Sequence, residues 1–94
     1  MRFETMAVQV TEAEAAVLML QRKRSGLVSR GRELADERVS VAIEVSAYEP
    51  GARNRLREIN QELALLDAEL RNIDAALTKA GRRLAIAQAQ KEHA

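Results

Sequence analysis

Few residues in this chain are suited to chemistry, and each fails a requirement of the reaction it would serve. Gly26 and Gly31 are separated by four residues and followed by Arg32 and Glu33, a spacing that approaches a phosphate-binding loop. That loop needs Lys and then Ser or Thr after its second glycine, because the ammonium and the hydroxyl hold the phosphates and the metal. It also needs a strand before the first glycine. Neither is present, so the two glycines read as a close helix approach or a bend. His93 is the single histidine and lies where a helix end frays, so a Ser-His-Asp or Cys-His relay lacks a base. Glu58, Glu62, Glu69 and Asp74 are carboxylates of the kind that bind metals inside helical bundles, but no Glu-x-x-His pair accompanies them. They read instead as helix-face residues that pair with arginine. With no cysteine there is no thiolate metal site and no disulfide framework. The expectation is a protein without catalytic residues, metal or cofactor.

One charge feature stands out. Arg22, Lys23, Arg24, Arg30 and Arg32 are five cations with no acid between positions 22 and 32, which suits a polyanion. These side chains span more than two helical turns and leave in several directions. Of the two aromatic residues, Phe3 and Tyr48, neither is placed to stack on bases. The chain as a whole has 15 basic and 14 acidic residues, a net charge of +1, and therefore no long-range field to steer nucleic acid. Nucleic-acid association through this cluster is the alternative reading, and a solvated or ion-paired face is the leading one. The longest apolar run, Ala15 to Leu20, is too short to cross a bilayer, and the N-terminal residues lack the pattern of a signal peptide. A cytoplasmic protein with no membrane role is expected.

The elements that carry these residues are helices. Hydrophobic residues make up 47% of the chain and charged residues 31%, with abundant Ala, Leu, Glu, Arg and Gln, a profile typical of long helices. Between Leu56 and Ala87 the apolar residues recur at spacings of three and four. Leu56, Leu63, Leu70, Leu77 and Leu84 form the a series of a heptad, and Ile59, Leu66, Ile73, Ala80 and Ala87 form its d series. Thr11 and Glu14 make a capping box that predicts the start of a first helix. From there Val17, Leu20, Leu27, Leu34, Val41, Val45 and Tyr48 keep the seven-residue rhythm, interrupted by Arg24, Gly31 and Arg38. Ser25 to Gly31 is the segment least suited to a helix and the place where a bend or break would fall. Pro50 and Gly51 predict a chain reversal, since proline pushes Glu49 out of the helical region and glycine tolerates the turn.

The sequence thus predicts an all-α, antiparallel two-helix coiled-coil hairpin. Helix one spans about 11–49, the turn 49–51 and helix two about 52–92, with residues 1–10 as an extended or flexible arm. Folding at the turn brings Val41 near Ile59, Leu34 near Leu66, Leu20 near Ala80 and Val17 near Leu84. It also sets Arg38 near Glu62 and Arg24 near Asp74, exposed pairs that contribute under ~1 kcal/mol each and select register more than they stabilise. A hairpin with one seam has little core. Ala35, Val39, Ala42 and Ile43 form an apolar cluster facing away from that seam, extended by Leu18 and Met19, with Leu65, Ala68, Ala75, Ile86 and Ala89 as a weaker outer row on helix two. These residues predict a homodimer forming a four-helix bundle, in a non-enzymatic assembly or scaffold element that also meets a protein partner of unspecified identity.

Overall fold

The computed structural model describes residues 2–93, with side chains from residue 4 onward. It is an all-α helical hairpin of two helices, α1 at Arg2–Ser46 and α2 at Ala52–Glu92. The chain forms two compact units. Ser25–Arg71 makes a turn unit, and Met1–Arg24 with Asn72–Ala94 makes a terminal unit.

The reversal in the turn unit is built from backbone hydrogen bonds at the end of α1. The Glu49 amide donates to the Glu44 carbonyl at 3.0 Å, and the Tyr48 amide donates to the Val45 carbonyl at 3.1 Å. This is the Schellman arrangement, which satisfies carbonyls that the end of the helix would leave without partners. It requires a left-handed residue at the second position past the helix, and Tyr48 supplies it with φ of 56°. Pro50 then prevents helix from continuing. Gly51, with φ of 79°, takes a conformation natural to glycine, and its carbonyl accepts the Arg55 amide at 3.0 Å to open α2.

The core of the turn unit joins Leu34 and Val41 of α1 to Ile59 and Leu66 of α2, with Leu27, Val45, Leu56 and Leu63 packed against it. Leu34 and Ile59 have no exposed surface at all. Burial of this kind contributes about 1.5–3 kcal/mol per large aliphatic side chain and is the main force holding the two helices together. The contact set agrees with the register that the heptads predict.

The terminal unit buries Val10 of α1 and Ile73, Ala80 and Ala87 of α2, while Met6, Ala13, Val17 and Leu20 are half-buried. Residues 2–10 are therefore helix, which corrects the expectation of an extended arm; Met1 lies outside the described residues. The physical reason is partner length. Because α2 runs to Glu92, α1 gains a surface to pack on well before Thr11, and helix whose apolar face is buried outweighs a local capping preference. Thr11 does not cap; its hydroxyl donates to the Ala7 carbonyl at 3.0 Å inside the helix.

No break interrupts α1 between Ser25 and Gly31. Nor do Gly26 and Gly31 serve a close approach, since a Cβ built on either meets nothing within 4 Å. At its other end α1 stops at Ser46 rather than near 49, because the left-handed Tyr48 draws the reversal back into the last turn.

Candidate interaction surface

Val39, Ala42 and Ile43 lie at spacings of three and four on α1, so they share a stripe of helix surface. Leu34 and Val41, on the same helix, point into the core, and the stripe is turned away from them. Val39 remains 63% exposed and Ile43 67%. Ala42 is exposed as well, and its carbonyl accepts the Ser46 hydroxyl at 3.2 Å, which keeps that polar side chain folded onto the helix. Ala35 is half-buried and forms the edge of the patch rather than its centre. Leu65 on α2 adds a large exposed apolar side chain within the same unit. Isolated apolar residues on a surface are ordinary, but a β-branched pair one turn apart with alanine between them is a continuous patch.

Among the described residues of the terminal unit the exposed large apolar side chains are Val8, Leu18, Met19 and Ile86. Leu18 and Met19 are exposed, in keeping with the apolar surface expected from their spacing. Val8 is exposed on the helix that residues 2–10 form, not on an extended arm.

The basic cluster divides into paired and unpaired members. Arg24 donates through Nε to Asp74 Oδ1 at 2.7 Å, as the register predicts. Arg30 donates to Glu62 Oε1 through Nε at 3.2 Å and Nη2 at 3.0 Å, and to Glu33 at 3.3 Å. The hydrogen bond to Glu62, followed by that to Glu33, holds the Arg30 guanidinium pKa above its ordinary value. Glu62 is thus taken by Arg30 and not by Arg38. The reason is the heptad position: with Leu34 and Leu66 at d, Arg30 and Glu62 both occupy g, on the flank of the seam where side chains of facing helices meet. The same flank holds Glu37 and Arg55, again both at g, with Arg55 Nε donating to Glu37 Oε1 at 2.8 Å and Nη2 reaching the same oxygen. That hydrogen bond raises the Arg55 pKa, and a second one runs to Glu58 at 3.3 Å. Arg22, Lys23 and Arg32 are exposed and have no acidic partner among the described residues.

Nothing gathers the carboxylates into a metal site. Among the described residues no three Asp, Glu or His side chains converge on a point, and Glu58, Glu62 and Asp74 each answer an arginine. His93 is exposed, its amide donating to the Ala89 carbonyl at 3.1 Å. No described helix is long and apolar enough to cross a membrane. Comparison with known proteins finds no protein family, curated protein or solved structure that matches this chain.

Proposed function

We propose that the chain is a non-enzymatic assembly element that self-associates through the outer face of α1 at Val39, Ala42 and Ile43, with Ala35 at its edge, and so presents a helical scaffold to a protein partner. The observation that carries this reading is the exposure of Val39 and Ile43, 63% and 67%, on one stripe beside a small core in which only Leu34 and Ile59 are fully buried. Covering such a stripe with a second copy supplies apolar burial that a single pair of helices lacks, and a stable dimer needs about 800 Å² from each partner. A cytoplasmic setting belongs to the same proposal, in keeping with a cysteine-free sequence.

The test is the double variant Val39→Asp with Ile43→Asp, followed by sedimentation equilibrium and circular dichroism. Loss of the outer-face contact, read as a fall in oligomeric order with helicity partly kept, is expected. A wild-type chain that is fully helical and monomeric at micromolar concentration overturns the reading, as does an oligomer the variant leaves unchanged.

A second reading, polyanion binding, draws on Arg22, Lys23 and Arg32, which lack acidic partners among the described residues. It stands behind the first because Arg24 and Arg30 are already engaged by Asp74 and Glu62. Reversing the charge of those three residues would abolish nucleic-acid binding at physiological salt without unfolding the chain if this reading held.

A further inference from the structure

The terminal unit carries an apolar feature of its own, separate from the Val39 and Ile43 stripe. A groove of about 370 Å³ runs between the two helices there, with Ala13, Ala16, Ala80 and Ala87 along it. Ala80 and Ala87 are buried and form its floor. Ile86 also lines the groove but is 59% exposed, so it stands on the rim. Gln9 and Glu12 of α1 and Arg83 and Gln90 of α2 make the polar part of the walls, and neither Glu12 nor Arg83 is ion-paired among the described residues. The groove is open for a reason that can be read in the heptad. Along the groove the g positions of α1 are Gln9 and Ala16, whereas the g positions of the turn unit hold the Arg30 to Glu62 and Glu37 to Arg55 pairs, which cover the seam.

We infer that this groove is a two-fold contact with a second copy of the chain, in which Ile86 of each copy enters the alanine floor of the other. A two-fold interface places the same patch on both sides, so the patch must contain both the projection and the recess. This one does: a large β-branched side chain borders a recess lined by small ones, the pairing on which helix packing depends. The charges obey the same condition. One acid and one base stand on opposite walls, so a two-fold axis running along the groove sets Glu12 of one copy against Arg83 of the other, twice. Walls of a single sign would repel instead. The contact is independent of the outer-face stripe, and a chain using both would assemble beyond a dimer.

The experiment separates the two surfaces. Sedimentation equilibrium is run on the full-length chain, on Val39→Asp with Ile43→Asp, and on that variant with Ile86→Glu added; circular dichroism follows helicity, which an exposed position such as Ile86 should leave intact. Association should persist in the first variant and weaken about 100-fold when Ile86→Glu is added, the effect of losing a central anchor. In the same background Glu12→Arg and Arg83→Glu should each weaken association about tenfold, and the two together should restore it. A first variant that is already monomeric overturns the groove contact while leaving the outer-face reading intact. An unchanged dissociation constant on adding Ile86→Glu, or a charge exchange that fails to restore association, overturns it as well.

Discussion

The turn unit and the terminal unit follow one heptad but fill it differently. In the turn unit the large residues Leu34, Val41, Ile59 and Leu66 fill the buried positions, with Ala52 buried beside the reversal, and arginine to glutamate pairs cover the flank. In the terminal unit Val10 and Ile73 are joined by Ala80 and Ala87, and the flank is open. Repeat spacing alone therefore decides that two helices pair, while side-chain volume decides what the pair can do. Where large residues meet, the seam has little left to offer. Where alanines meet, the same seam leaves concave apolar space that another chain can use.

The largest test of this contrast is substitution at the buried d positions. Ile59→Ala should cost about 2–5 kcal/mol of unfolding free energy, the usual range for emptying a filled core site. Ala80→Gly should cost only about 1 kcal/mol, the difference in helix propensity, because little packing is lost. Equal losses in urea titrations would break the comparison. Amide hydrogen exchange sharpens it on the native protein: α2 amides near Ile59 and Leu66 should exchange on the order of tenfold more slowly than those near Ala80 and Ala87. The smallest effect is a gain. Gly26→Ala and Gly31→Ala should each stabilise the chain by about 0.5–1 kcal/mol, since both positions are helical and a methyl group there meets nothing. Thermal melts would show the melting temperature rising, and a fall would indicate a close contact that the structure lacks.

Most of the fold was legible because it rests on periodicity. All five d residues of α2, from Ile59 to Ala87, are buried, and the a-series leucines are half-buried beside them. What the sequence obscured lay where a local signal competed with a distant one. Thr11 and Glu14 look like a helix start, yet Met6, Val10, Ala13 and Val17 continue the spacing of three and four back through that point, and only the reach of α2 decides between them. The partner of Glu62 was misassigned for a related reason. Counting residues across the turn matched it with Arg38, whereas its flank position matches it with Arg30. The outer-face residues Val39, Ala42 and Ile43 were legible as apolar residues out of phase with the seam. The groove was not, because its signal is missing volume at alanines that by themselves are merely good helix formers.

Tyr48 is the chain's single tyrosine, there is no tryptophan, and the ring sits 86% exposed at the reversal in a left-handed conformation. Intrinsic fluorescence of this protein is consequently a local probe of the hairpin tip and is silent about the interior. Emission and far-ultraviolet dichroism recorded during one unfolding experiment would report two different places, so coincident curves would demonstrate cooperativity between the bend and the rods, and separated curves would time the opening of the bend by itself.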